Sequence, residues 1–285
     1  MAARAFNCSR KMKQEYSKVF NQLSRRLFTT KTSENCTEDV KCSQLRKRGL
    51  LKVKGRDSVK FLQGLVTNDV ESFHNDEERK TLYAMFLNAS GRTLYDVVFY
   101  KHDNSGDVPA FFLECDLTAI PDLTKHLKMF KLRAKVDIFQ VEDYQPWVMF
   151  STSGGVNIKN ASSSSDISVF EQDPRLELLG FRMVLPKGSS PCVCFEDVYE
   201  TGDTFEYDMH RAKLGVCEGV DEIPPGSAMP LEYNIAYLNG GTCIHFITYN
   251  SLIKFPIFFP LSTCYTCMYY RHPQSSVDQY TQSGV

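Results

Sequence analysis

The polar residues best placed for chemistry in this chain lie in and near one apolar stretch between residues 82 and 100. Asp96 is an acid inside the run Arg92 to Tyr100, which is otherwise mainly apolar and aromatic. A buried carboxylate without partners costs several kcal/mol. We therefore expect Asp96 either to line a wet cavity or to be held by hydrogen bonds. Further along, His210 and Arg211 fall at helical spacing, and for them both ligand contact and structural hydrogen bonding stay open.

Other chemistries have little support in the sequence. The pair Cys192 and Cys194 is a lone C-x-C, which is a weak signal for a metal site, and the second pair, Cys264 and Cys267, has no matching knuckle of the kind that zinc sites use. Glycine-rich phosphate loops and a nucleophile elbow of the G-x-S-x-G type do not occur. We predict no metal site and no catalytic residue.

Composition narrows the class of protein. The chain has 285 residues, of which 42% are hydrophobic, and this is enough for one large domain or two smaller ones. A net charge of −1 gives no reason to expect nucleic acid as a partner. The 10 cysteines are scattered, which favours reduced thiols over a disulfide framework. We expect no membrane span, because no run of about 18 apolar residues occurs.

The amino-terminal segment differs from the rest of the chain. Residues 1–32 contain eight Lys or Arg residues against a single acid, Glu15. A segment rich in Arg and Ser and poor in acids is typical of a mitochondrial transit peptide, and the alternative is a disordered basic tail. Residues 33–46 are polar and are predicted to form a linker. We therefore assign residues 1–42 to a transit peptide and linker.

Residues 43–240 show the periodicities of an α+β domain with mixed or antiparallel sheets. Strands are predicted over 49–54, 82–87, 92–100, 110–115, 134–141, 147–150 and 181–185. Helices are predicted from Asp57, as a cap, to Val66, after Pro121 with Phe130 in its core stripe, and over 206–214.

Residues 241–285 change character. Their charged residues are Lys254, Arg271 and Asp278, and neither helical nor alternating periodicity holds across them. We expect this segment to be an atypical, poorly ordered tail.

Four blocks of sequence resemble a known superfamily. They are Phe61–Val70, Leu87–Tyr100, His210–Gly219 and Ile223–Asn239, and they are similar to blocks of the folate-binding aminomethyltransferase (glycine cleavage T-protein, GcvT-like) superfamily. The chain looks most like its YgfZ-like branch of mitochondrial iron–sulfur cluster assembly factors. That branch continues with Lys-Gly-Cys-Tyr/Phe-x-Gly-Gln-Glu, whereas here Gly241-Thr-Cys243 follows. The resemblance therefore implies a GcvT-like fold whose C-terminal β-barrel lobe is missing.

The resemblance also implies a ligand. Tetrahydrofolate would be the cofactor, with Asp96, Asn88 and Arg211 lining its pocket. The transferase branch has further acids, which Tyr95 and Lys213 replace here, so the acids needed for aminomethyl transfer are not all present.

The function implied by the resemblance is a late step in the maturation of [4Fe–4S] proteins in the mitochondrial matrix. The partners would be A-type iron–sulfur carrier proteins and [4Fe–4S] client enzymes. Two alternatives stay open: a folate-dependent aminomethyl or one-carbon transferase, and an inactive truncated form.

Overall fold

In the computed structural model, the described residues are 40–102, 108–153, 156, 167–193, 195 and 198–241. The predictions for the transit peptide in residues 1–39 and for the tail in residues 242–285 lie outside them. The described residues belong to one compact unit of the chain.

Two five-stranded sheets make up most of the described part. The strands are β1 Val40–Gln44, β2 Arg48–Lys54, β3 Thr81–Leu87, β4 Thr93–Lys101, β5 Ala110–Asp116, β6 Asp137–Val141, β7 Tyr144–Ser151, β8 Val169–Gln172, β9 Phe181–Pro186 and β10 Val198–Glu200. Sheet I has the order β10-β1-β7-β9-β8, and sheet II has the order β3-β4-β5-β2-β6. Neighbouring strands are antiparallel in both sheets, except that β1 and β10 run parallel.

Helices connect and cover these strands. The described α-helices are α1 Ser58–Gln63, α2 Val70–Asn75, α3 Ile120–Lys131 and α4 Phe205–Lys213, and short 3-10 turns cover Leu117–Ala119, Glu177–Leu179, Pro191–Val193 and Pro230–Tyr233. Pro121 lies in the first turn of α3, where its missing N–H costs no helical hydrogen bond.

Sheet II is buried on both faces. Successive residues of each strand point to opposite faces. On one face, Phe86 and Leu113 pack against Leu62 of α1 and Leu123 of α3. On the other face, Val98 and its neighbours pack against part of sheet I and the segment that follows α4. This second interface contains the charged residues considered below.

The structure confirms the predicted α+β class and most of the predicted elements. It differs in the segment predicted as a polar linker, where β1 begins at Val40. This strand pairs with β7 on one side and β10 on the other, and both partners lie more than 100 residues away in the chain. The short edge strands β8 and β10 were also absent from the sequence prediction. Strand β10 is defined by its pairing with the distant β1, and β8 is a strand of four residues that pairs with the nearby β9.

The first predicted helix is also shorter than expected. It ends at Gln63, and Val66 instead forms an isolated bridge to Phe86 of sheet II. A second helix, α2, follows because the Asp69 side chain accepts the N–H of Ser72 at 2.8 Å, as an N-cap does. The Gln63 side-chain oxygen accepts the Val70 N–H at 2.6 Å and holds the two helices together.

Two side chains have different roles from those predicted. Asp57 precedes α1 but makes no cap hydrogen bond, and its carboxylate accepts the N–H of Lys135 at 2.7 Å instead. Phe130 is 46% exposed, because the buried stripe of α3 ends one turn earlier, at Leu127.

The buried face of α1 gives a first prediction. Leu62 is completely buried, so Leu62→Ala should lower the free energy of unfolding by about 2–5 kcal/mol, as other large-to-small core changes do. The matched control is Leu132→Ala, since Leu132 is 87% exposed and should change stability by less than about 0.5 kcal/mol. Urea denaturation measures both, and equal effects of the two substitutions would contradict the packing described.

Candidate functional site

A network of charged side chains lies between the two sheets. Arg48, Asp96 and Glu114 come from β2, β4 and β5, on the face of sheet II that is turned toward sheet I. Arg182 of β9 lies on the same face of its strand as the core residue Val184, and its side chain points toward these three residues of sheet II. Each of these four side chains is almost fully buried, although each stands in a strand whose other residues are mainly apolar.

Arg48 and Glu114 form the centre of the network on sheet II. The Arg48 guanidinium donates to Asp96 at 2.9 Å and to Glu114 at 3.0 Å. The other Glu114 oxygen accepts the hydroxyl of Tyr100, and Arg182 donates to Glu114 from sheet I. A single carboxylate therefore joins both sheets.

Asp173 and Glu218 complete the network on the other side. Arg182 donates to Asp173 at 2.8 Å and to Glu218 at 2.7 Å. Arg175 donates to the same two carboxylates, at 2.8 Å to Asp173 and 2.7 Å to Glu218. The hydroxyl of Tyr207 on α4 accepts from both guanidinium groups, at 3.1 Å and 3.0 Å.

The electrostatics keep these groups charged. Burial alone would raise the pKa of the Asp173 carboxyl, but the guanidinium groups of Arg175 and Arg182 hold it below its ordinary value. Burial likewise opposes ionisation of Glu218, and its arginine neighbours lower its pKa well below the ordinary value. Burial would lower the pKa of Arg182, but the carboxylates around it raise the value well above the ordinary one. These groups therefore stay ionised near neutral pH and are unsuited to proton transfer there.

The three predicted folate-binding residues are held by other parts of the protein. One oxygen of Asp96 accepts from Arg48, and the other accepts the N–H of Gly219 at 3.0 Å. The Asn88 side chain accepts hydrogen bonds within its own turn, from Ser90 and Arg92.

Arg211 is likewise paired within the protein. It binds Glu222 through two nitrogens, each at 2.5 Å from its oxygen, and His210 beside it has a ring nitrogen 2.8 Å from the carbonyl of Leu178. The hydrogen bonds of Asp96, Asn88 and Arg211 therefore do not converge on one ligand position.

This arrangement does not fit a folate held by those residues. Asp96 is only 2% exposed, and both of its oxygens have donors. Among the described residues, the hydroxyl of Tyr83 is a buried polar atom without a hydrogen-bond partner, and Arg175 lies over its ring with the guanidinium carbon 5.6 Å from the ring centroid. One unpartnered hydroxyl does not provide the several partners that a pterin requires.

The sequence analysis singled out Asp96 but missed the other charged residues of the network. Glu114 and Arg182 also stand in predicted apolar strands, so the signal that identified Asp96 was available for them. Asp173, Arg175 and Glu218 lie outside the α-helices and strands, and no local pattern distinguishes them.

The blocks that carry the resemblance meet in space. The side chain of Asn68, in the first block, donates to the carbonyl of Tyr83 at 2.8 Å and to that of Asn239 at 2.6 Å. The neighbouring Thr67 hydroxyl donates to the carbonyl of Gly240 at 2.5 Å and accepts the Met85 N–H at 3.0 Å. The first and last blocks therefore form one hydrogen-bonded clamp.

The fold defines the class of protein. The structure is similar to the crystal structure of glycine cleavage system aminomethyltransferase T from Bartonella henselae, with a TM-score of 0.51. The similarity covers 70% of this chain and 58% of that one at 15% sequence identity, and it shows that the chain has the GcvT-like fold. No protein-family model matches the chain.

Curated proteins identify the nearer relatives. The chain is 35% identical over 208 residues to the iron-sulfur cluster assembly factor IBA57, mitochondrial, of Homo sapiens, and 33% identical over 209 residues to that of Mus musculus. A homologue from Dictyostelium discoideum is 30% identical over 227 residues. The matches cover 70% of this chain with the human relative, and the chain spans 57% of that relative's length. The chain is thus related to these assembly factors, as its sequence predicted.

The described residues show neither a metal cluster nor a membrane-spanning helix. They contain no group of three or more His, Cys, Asp or Glu side chains placed to hold a metal ion. None of their helices has the length and apolar character needed to cross a membrane.

The buried network gives a second prediction. Asp173→Asn should lower the free energy of unfolding by about 3–5 kcal/mol, because it removes one charged partner from each of two buried guanidinium groups. The control is Asp221→Asn, the same chemical change in the exposed pair of Lys47 and Asp221. These side chains are 79% and 81% exposed, so the substitution should lower the free energy of unfolding by less than about 1 kcal/mol. Urea denaturation measures the free energy of unfolding of both variants. A small decrease for Asp173→Asn would show that the network adds little stability.

A third prediction concerns pH. The pKa values of Asp173 and Glu218 are lower in the folded protein than in the unfolded protein, where they are about 4. Their contribution to stability is therefore complete above the unfolded pKa values. It is lost as the pH falls through the folded pKa values. The free energy of unfolding should therefore decrease from about pH 5 to pH 3. The variant Glu218→Gln should lose less over that interval, and a decrease identical to that of the wild type would contradict the role of this residue.

Proposed function

We propose that this chain acts in iron–sulfur cluster assembly in mitochondria, at a late step in the maturation of [4Fe–4S] proteins. The observation that carries the proposal is the 35% identity to the human mitochondrial assembly factor over 208 residues. The relatives from mouse and Dictyostelium discoideum bear the same name, and this supports the same assignment.

The charged network favours an assembly role over folate-dependent transfer chemistry. A general acid or base works best with a pKa near the operating pH. Although burial opposes their ionisation, the arginine neighbours instead hold the pKa values of Asp173 and Glu218 below their ordinary range. A rigid, permanently charged interior suits a protein that holds a fixed shape for its partners.

The partners under this proposal are A-type iron–sulfur carrier proteins and the client enzymes that receive [4Fe–4S] clusters. The cluster is the cargo of the reaction. The basic segment of residues 1–32, with its single acid, supports import into the mitochondrial matrix, where these partners would be met.

We infer that Asp96 has a structural role and does not bind tetrahydrofolate. The inference rests on its burial and on its two donors, Arg48 and Gly219. Arg211 is paired with Glu222 through two nitrogens, and the side-chain oxygen of Asn88 accepts hydrogen bonds within its own turn. A folate bound at this site would have to displace buried ion pairs.

Calorimetry with tetrahydrofolate tests this inference and is the fourth prediction. Asp96→Asn should lower the midpoint of thermal unfolding, because Arg48 loses a charged partner. The heat of titration with tetrahydrofolate should be the same for the wild type and the variant. The matched control is Asp221→Asn, at the exposed position. Binding by the wild type that disappears in Asp96→Asn, with the unfolding midpoint unchanged, would establish a ligand role.

Complementation tests the proposed function and is the fifth prediction. The 285-residue chain, expressed in cells that lack the mitochondrial assembly factor, should enter mitochondria and raise aconitase activity and protein lipoylation. The control is Asp173→Asn, in which Arg175 and Arg182 each lose one charged partner, and this should reduce the amount of folded protein and the rescue together. A chain that is imported and accumulates at normal levels without restoring either activity would refute the proposal and favour the inactive form.

A further inference from the structure

The end of helix α3 combines positive charge with exposed apolar side chains. Residues 125–135 contain five basic residues and no acid. In the same stretch, Met129 is 63% exposed and Leu132 is 87% exposed. Soluble proteins tolerate single exposed apolar residues, but a cluster of them bordered by charges is typical of an interaction site.

The backbone conformation of Leu132, at the end of α3, is also unusual. Its φ is 46° and its ψ is −111°, a positive-φ conformation that residues other than glycine rarely adopt. Glycine takes such a conformation without strain, because it has no Cβ. Here a leucine occupies the position and keeps its side chain in solvent, which is costly unless the side chain has a partner.

Strand β6 lies beside this surface and forms an edge of sheet II. The strand pairs with β2 on one side, and no strand of the described residues lies on its other side. Phe139, in the middle of β6, is 48% exposed. An uncovered edge strand offers backbone N–H and C=O groups that another extended chain is able to pair with.

A groove joins the two elements. It has a volume of about 440 Å³ and is lined by Lys128 and Lys131 from α3 and by Asp137, Ile138 and Phe139 from β6. Two lysines thus lie along one wall, and a strand edge with an aromatic side chain forms the other. We call this surface, together with Leu132, the basic groove.

We propose that the basic groove binds an extended, acidic segment of a partner protein, which adds to the edge of β6 as a further strand. The lysines select negative charge, and the strand edge selects an extended backbone. Phe139 and Leu132 would contact apolar residues that alternate with the acids.

An anionic membrane surface is the less suitable occupant. The groove is concave, and its lining includes the acid Asp137. A flat lipid surface would make no backbone hydrogen bonds with β6. This proposal does not depend on the proposed role in cluster assembly.

Selection from a phage-displayed library of random twelve-residue peptides on the full chain tests the proposal. The enriched peptides should contain Asp or Glu alternating with apolar residues. A synthetic copy should bind about tenfold or more weakly to the double variant Lys128→Glu/Lys131→Glu, and its affinity should fall as salt is added. Leu132→Ser, at an exposed position, should also weaken binding.

The matched control is Lys47→Glu/Lys60→Glu, which reverses two exposed charges outside the groove and should leave peptide affinity unchanged. Thermal unfolding of each variant shows that it is folded. Failure to enrich acidic peptides, or equal binding to both double variants, would overturn the proposal. Binding of the wild type to vesicles of phosphatidylcholine and cardiolipin that is lost in Lys128→Glu/Lys131→Glu, without binding to any selected peptide, would also overturn it and assign the groove to a membrane.

Discussion

The described part of this protein depends on the pairing of one buried guanidinium group. Arg182 donates to Glu114 on the opposite sheet and to Asp173 and Glu218 on the segments beside it. Removing one carboxylate from such a buried cluster leaves its positive charge only partly compensated, at a cost of about 3–5 kcal/mol. The positions of both sheets and of the two segments are therefore linked, because none of them can move without breaking an ion pair.

This constraint also bears on function. The position that the aminomethyltransferase resemblance assigned to a ligand-binding acid is occupied by Asp96, which is committed to Arg48 and Gly219. A protein with the transferase fold is thus able to use the same strand for structural support. The proposed assembly role requires a stable surface for partners and no proton transfer inside the fold, and the arrangement agrees with this requirement.

The sequence allowed elements with a clear local pattern to be predicted. Burial of one face imposes helical spacing on α3, and burial of both faces makes β5 a mainly apolar run. The sequence also marked Asp96 as unusual and left its role open between a ligand and hydrogen bonds. The choice between them depends on Arg48, which is 48 residues distant and carries no local signal. Strand β1 was missed for the same reason, since its partners β7 and β10 are distant in the chain and the pairing itself defines it.

A double-mutant cycle between Arg48 and Asp96 tests the central claim most directly. The free energies of unfolding of Arg48→Met, Asp96→Asn and the double variant are compared with that of the wild type. If the pair is a structural part of the network, the two substitutions should be non-additive, with a coupling energy of about 0.5–3 kcal/mol. Additive effects, within about 0.3–0.5 kcal/mol, would contradict the account and would show that Asp96 is available for another partner.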